Sequence, residues 1–255
     1  MTTLPTPPGM VVSREDTTVR MFRSDLLEKL SHVHPAVPHV LYLPTIAAAL
    51  LVAERRGVTP FAAVGLFVGG LLAWSLVEYV VHRFAFHVRE ETERNTFEAV
   101  RRLSPDRPVM PALAWREKVY FVMHGVHHLF PNDSRRLVMP PSVSVPLAIA
   151  FYLLFRATLG AVWGPALFAG FVMGYLFYDT THFVVHHHRC RGRWSAMLKK
   201  WHMRHHFLDS ERGFGVSSPL WDYLFGTAAR PAGRVPGVIA DPDATPGAAT
   251  GRRAT

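Results

Sequence analysis

Residues 58–81 read VTPFAAVGLFVGGLLAWSLVEYVV, a run of 24 with one carboxylate and no basic residue. At about 1.5 Å per residue it reaches across a ~30 Å hydrocarbon core as a helix. In lipid only a helix or a closed barrel satisfies every backbone N–H and C=O. Three more apolar runs lie near 39–53, 142–155 and 157–178. The two shorter ones span only if their flanks extend them or the bilayer thins. Short connections at 54–57 (ERRG) and 156–164 pair the runs into two helical hairpins. The expectation is an all-α integral membrane protein with four transmembrane helices, segments 82–141 and 179–255 lying together on one side.

The balance of 49% hydrophobic and 18% charged residues fits that class. A net charge of +9 would also suit nucleic acid. However, 25 of the 28 Lys and Arg fall before the first run, in 82–141 or after 178. Basic flanks of this kind mark the cytoplasmic side, so no nucleic-acid partner is expected and both termini are placed inside. Arg outnumbers Lys 24 to 4, which suggests a GC-rich bacterial genome and the plasma membrane; a eukaryotic origin would mean the endoplasmic reticulum. Residues 1–20 show no apolar stretch of the signal-peptide kind. Residues 1–19 and 229–255, rich in Pro, Gly, Ala and Thr, read as disordered tails around a domain at 20–228. Segment 88–120 reads as partly helical, broken at 104–111, with a helix resuming over 112–123.

Histidine is concentrated at the ends of the spans: HRFAFH at 82–87, HGVHH at 124–128, HFVVHHH at 182–188 and WHMRHH at 201–206. Side chains three and four apart share a helix face. Each HxxHH motif is therefore expected to present its three imidazoles as one convergent group, and His182 with His186 forms an i, i+4 pair. His82 and His87 are five apart and cannot converge from one regular helix; His82 belongs to the last turn of its span and His87 to the chain beyond. Ten imidazoles result: His82, His87, His124, His127, His128, His182, His186, His202, His205 and His206. That is too many for one metal and suits two. His32, His34 and His39 fit no pattern, and His187 and His188 point away around the helix. A single cysteine, Cys190, rules out an internal disulfide or a CxxC site. Imidazole suits zinc, copper, iron and nickel alike. Neutral ligands leave such a centre cationic, and Glu78 and Asp179 are placed to accept the ligands' outer N–H groups. Asp133 and Asp209 stand open between that role and a solvated surface.

HRFAFH, then FVMHGVHHLFPNDSRRLVMPP (121–141), GYLFYDTTHFVVHH (174–187) and LKKWHMRHHFLDSERGFGVSSPLWDYLFGT (198–227) together resemble the fatty acid 2-hydroxylase branch of the membrane fatty acid hydroxylase and sterol desaturase superfamily. MFRSDLLEKLSHVHPAVPHVLYLP (21–44) is similar to the same branch. The resemblance implies a four-span helical enzyme with a histidine-rich cytoplasmic cap over two metal ions, and the ten histidines match the family's ligand positions. It implies an O2-dependent monooxygenase that hydroxylates the C2 carbon of a long-chain fatty acid or an acyl lipid such as ceramide. Iron is implied for the working enzyme, because zinc, found in some isolated relatives, has no redox couple. Residues 1–20 are too short for the cytochrome b5 domain of many relatives, so a separate ferredoxin or cytochrome b5 is expected to supply electrons. The interval from His87 to His124 is long for the family, by an insertion around 90–112. Phe84, Phe183, Phe207 and Trp221 are candidates to line the substrate path. Residues 213–227 are expected to close the cap, with Gly213 and Gly215 allowing close backbone approach. The rivals are a sterol or carotenoid desaturase or hydroxylase, and a non-catalytic metal-binding membrane protein.

Overall fold

A computed structural model describes residues 10–87, 89–104 and 107–229, and among these there is helix but no strand. The short α1 (Asp25–Leu30) leads into α2 (Val37–Arg55) and α3 (Pro60–Val81). Gly57, at φ 88°, turns the chain between them. Thr59 caps α3 through its side chain, and Pro60 at the first helical position supplies a preset φ. A cap region follows: α4 (Glu90–Arg101), a 3-10 turn, α5 (Trp115–Tyr120) and α6 (Val126–Leu129). Next come α7 (Pro141–His187), α8 (Arg193–Phe207) and α9 (Leu220–Leu224). The broken helix expected over 88–123 is thus present.

Among the described residues, three stretches are long and apolar enough to cross a membrane: Val37–Arg55, Pro60–Phe86 and Pro141–His187. The third has 47 residues and is not straight. Gly160 sits at φ 76°, ψ 177°, outside helical space, and the Phe151 and Phe171 rings lie 4.4 Å apart. Twenty residues of straight helix would separate them by about 30 Å, so α7 is itself a hairpin with limbs 141–159 and 161–187. The two hairpin turns share one end of the bundle: Arg56 donates to the Ala161 carbonyl, and Ala53, Val58 and Ala166 pack together. At the other end, Tyr42 donates to Ser144 Oγ at 2.8 Å and His39 Nε2 meets Thr180 Oγ1 at 2.9 Å.

Small residues let α3 and the second limb of α7 touch backbone to backbone. A Cβ on Gly170 would lie 1.9 Å from the Phe67 carbonyl oxygen, and one on Gly70 would lie 2.2 Å from that of Leu167. Interfaces of this small-residue kind hold helices together where lipid removes any hydrophobic drive. Between α2 and both limbs of α7 an apolar cavity of about 390 Å³ opens, lined by Tyr42, Ala49, Ile149, Tyr152 and Phe168 among others.

The N-terminal boundary differs from the expectation. Residues 10–19 are not a free tail: the Val12 and Ser13 amides donate to the Leu129 carbonyl, Thr18 donates to Asp133 at 2.9 Å, and Met10 and Val12 pack on the cap core. This irregular stretch is held by the end of α6 and the loop after it rather than forming a periodic element, which is why periodicity missed it. The remaining tail residues, 1–9 and 230–255, lie outside the described residues. Arg136 anchors this corner, buried against Glu28, Asp133, the Val19 carbonyl and His32. Asp133 is therefore a buried structural partner, and His32 is part of the same network. Asp209 stays partly exposed beside Arg212.

Candidate metal centre

Two π turns set up the first half of the site. The turn at His82–Phe86 continues α3, and the His87 amide closes it onto the His82 carbonyl at 3.2 Å. Widening the helix by one residue brings His82 and His87 to the same side, which no regular helix does; single π turns recur at functional sites for this reason. A second π turn, Phe121–Gly125, joins α5 to α6 and carries His124. The second half comes from the end of α7 and from α8.

All ten predicted histidines converge, in two groups of five. His82, His87, His124, His128 and His205 form one; His127, His182, His186, His202 and His206 form the other. Within each group the nitrogen atoms on offer lie within 4.8 Å of one another. The expectation that each HxxHH motif points at one place is corrected here. On α8 the i, i+4 pair His202 and His206 enters one group while His205 enters the other, and at 124–128 the division is the mirror image. At 100° per residue, His205 lies about 60° to one side of His202 and His206 about 40° to the other, so a helix wedged between two pockets feeds both.

The histidines turn their Nε2 atoms inward. His82 and His124 Nε2 are 3.1 Å apart, His87 and His205 3.0 Å, His127 and His182 2.8 Å, His186 and His202 2.9 Å, and His202 and His206 3.0 Å. Metal–imidazole bonds are about 2.0–2.1 Å, and two of them at right angles put their nitrogens about 3 Å apart. Nine of the ten rings are buried and His186 is nearly so. Burial, reinforced by the neighbouring rings, holds His124, His127, His128, His202 and His206 well below the usual imidazole range. His87 is pushed down to about 4 by burial, and His205 to about 3 by burial and by His87. The rings are thus neutral near pH 7, the form that ligates. Donor type, spacing and protonation all fit two metal ions.

Outer contacts differ from those expected of the carboxylates. Glu78 touches no histidine; it accepts from the Val216 and Ser217 amides at 2.7 and 2.9 Å and from Ser217 Oγ at 2.5 Å. Asp222 similarly receives the Phe214 and Gly215 amides at 3.0 and 2.7 Å. The loop so held presents the Phe214 carbonyl to His82 Nδ1 at 2.6 Å, and Glu78 reaches the site at one remove. Asp179 is buried, but among the described residues its Oδ2 meets no donor and no histidine bonds to it. The carboxylate that does meet a ring is Glu93, 3.3 Å from His87 Nδ1, and spacing gave no sign of it because it sits in the 90–112 insertion. Gly215 leaves room for the Ser218 carbonyl, 2.0 Å from where a Cβ would be, while Gly213 is required by its φ of 76° instead.

The proposed aromatic lining is redrawn in part. Phe84 faces outward, Phe183 stacks on His187, Arg14 lies over Phe207, and Trp221 donates to Ser75. The rings against the ligands include Phe86, stacked on His124 at 4.8 Å, Phe214, within 6 Å of His82, His87 and His205, Tyr178, 5.5 Å from His182, and Phe207, 6.0 Å from His206.

Residues 67–227 match the model of the fatty acid hydroxylase domain. The chain belongs to the fatty acid hydroxylase family. This hydroxylase is 33% identical to dihydroceramide fatty acyl 2-hydroxylase FAH2 of Arabidopsis thaliana, over 82% of its own length and 79% of the plant protein. It is 37% identical to fatty acid 2-hydroxylase of Mus musculus, over 82% of its length and 56% of the mouse protein. It therefore spans little more than half of the mouse relative. The solved structure of full-length scs7p, with only the hydroxylase domain visible, shares 35% identity and superposes with a TM-score of 0.67, over 81% of this chain and 70% of that one.

Proposed function

We propose that the hydroxylase is a membrane-embedded dimetal monooxygenase that places a hydroxyl on the C2 carbon of a long-chain fatty acyl group, free or carried on a lipid such as ceramide. The observation that carries the reading is the pair of enclosed five-imidazole pockets, in a chain whose relatives are named as fatty acyl 2-hydroxylases. A transport pathway would string ligands along a span, whereas these gather at one end of the bundle.

In this reading α2, α3 and the two limbs of α7 are four spans in two hairpins. Each α7 limb is about 28 Å or longer at 1.5 Å per residue, enough for the hydrocarbon core with modest adjustment. The concentration of Lys and Arg puts the histidine end on the cytoplasmic face. When bound, two iron ions would supply O2 activation and the two-electron oxidation of a C–H bond, chemistry for which zinc has no redox couple. The chain's own part is to hold ten imidazoles neutral and aimed inward, and to exclude water with Phe86, Phe214 and the 213–217 loop. The acyl head lies at the cap and the tail runs toward the spans, so that C2 is the carbon presented. Two electrons per turnover come from a separate carrier, a ferredoxin or a cytochrome b5.

Expression of the wild-type chain in a host lacking 2-hydroxy lipids tests this, with mass spectrometry of total and ceramide-bound acyl chains. Wild type should generate 2-hydroxy acyl species, and His205→Ala should reduce them at least 100-fold while membrane insertion persists. No 2-hydroxy product, or a change confined to sterols or carotenoids, would overturn it.

A further inference from the structure

The two histidine groups look equivalent in ligand number, but what stands behind the ligands is not. In the first group the outer nitrogens of three rings are committed to atoms that only accept. His82 Nδ1 donates to the Phe214 carbonyl at 2.6 Å, His205 Nδ1 to the Arg212 carbonyl at 2.9 Å, and His87 Nδ1 to the Glu93 carboxylate at 3.3 Å. Each contact fixes the Nδ1–H tautomer and leaves the Nε2 lone pair facing inward. The acceptors are themselves braced: Asp222 and Glu78 hold the 214–217 backbone, and the Arg212 guanidinium donates to the Gly226 and Ala228 carbonyls. In the second group the Nδ1 atoms of His182, His186, His202 and His206 are buried with no hydrogen-bond partner among the described residues. Asp179, one turn before His182, leaves its own Oδ2 without a donor.

We infer that the two metal ions are held unequally: the ion of His82, His87, His124, His128 and His205 is the tightly retained one, and the ion of His127, His182, His186, His202 and His206 is the exchangeable one. Glu93 is then a positioning residue, supplied by the 90–112 segment, that acts on the retained ion through His87. Outer partners orient a ligating ring and raise its basicity, and losing one typically lowers metal affinity 10- to 100-fold. Three such partners on one side, against four unpartnered rings on the other, set the direction of the difference. A carboxylate partner also raises the basicity of the ring that donates to it, which adds to the difference on the side of His87.

This inference rests on the two-metal reading, and the experiment keeps the two apart. Purified protein is loaded with Zn2+, its ions are counted by elemental analysis, and it is then exposed to a chelator at a concentration that empties it within a day. Two ions per chain are expected, one leaving at least 10-fold faster than the other. Glu93→Gln should speed the slow phase about 10-fold and leave the fast phase alone; His186→Ala should remove the fast phase and keep the slow one. Wild-type release needs no variant and decides by itself if Glu93→Gln fails to fold. Two ions leaving in a single phase, or Glu93→Gln acting on the fast phase, would overturn the unequal-site inference and leave the two-metal reading standing. Fewer than two ions bound at saturating Zn2+ would overturn both.

Discussion

Glu78 is a buried carboxylate in an apolar helix, and its three acceptor contacts show why it is there. It neutralises two backbone donors and one hydroxyl of the 216–217 loop, each of which would cost about 1–3 kcal/mol if left buried and unpaired. Glu78→Ala should lower the thermal unfolding midpoint in detergent by several degrees and cut hydroxylation more than 10-fold, because the Phe214 carbonyl loses its brace. Glu78→Gln keeps one oxygen for the two amides, and Ser217 can turn its hydroxyl to accept from the new NH2 group, so most stability should return. Equal losses in both variants would show that charge, not acceptor geometry, is what the position needs. At this scale the sequence was legible where chemistry is carried by residue type and spacing: the ten histidines stand out because imidazole is scarce and the clusters repeat. Glu93 and the carbonyls of Arg212 and Phe214 were not legible. An outer partner is chosen by where the chain returns in space, and a backbone carbonyl leaves no mark on sequence.

Helix contacts were legible as apolar runs, and their closeness was hidden in glycine. Gly65 and Gly170 are both in the apolar helices that the runs announced, yet nothing lies within 4 Å of a Cβ built on Gly65 while one on Gly170 meets the Phe67 backbone. Gly170→Ala should therefore force α3 away from α7 at the upper end of the roughly 1–3 kcal/mol that overpacking costs. Gly65→Ala should leave the unfolding midpoint within about a degree or raise it slightly. Thermal unfolding of both variants in one detergent checks the pair, and similar losses in each would mean the helices meet elsewhere. The α7 hairpin was anticipated from a short connection at 156–164, and the turn is made by Gly160, whose φ and ψ belong to a region that is nearly glycine's alone. The two π turns were beyond reach, because an i to i−5 bond depends on local crowding and not on a residue pattern. So was the splitting of each HxxHH motif, which follows from a helix lying between pockets and not beside one.

Across the whole molecule, the segment joining α7 to α8 carries Arg189 and Arg191 exposed, with Arg193 exposed at the first position of α8 and Lys200 exposed two turns further along it. It follows directly on the last turn of α7, which carries His186, and Lys199 of α8 donates to the His188 carbonyl at 3.0 Å, so an acidic electron carrier drawn there would arrive next to the centre. Charge attraction of this kind raises encounter rates and fades as salt screens beyond about 8–10 Å. Turnover with a reduced acidic carrier should fall several-fold between 50 and 300 mM salt, roughly spanning that screening range, and fall again in an Arg191→Glu, Arg193→Glu double variant. A rate indifferent to salt and to both reversals would place docking elsewhere. The exchange of ligands between motifs carries a consequence for how the protein is made. Residues up to 129 contribute four imidazoles to one pocket and only His127 to the other; residues from 182 onward contribute the reverse, with His205 crossing back. Neither pocket is complete until the ribosome has released the chain beyond His206 and both hairpins have met, so a nascent first half, however well inserted, has no finished site to fill.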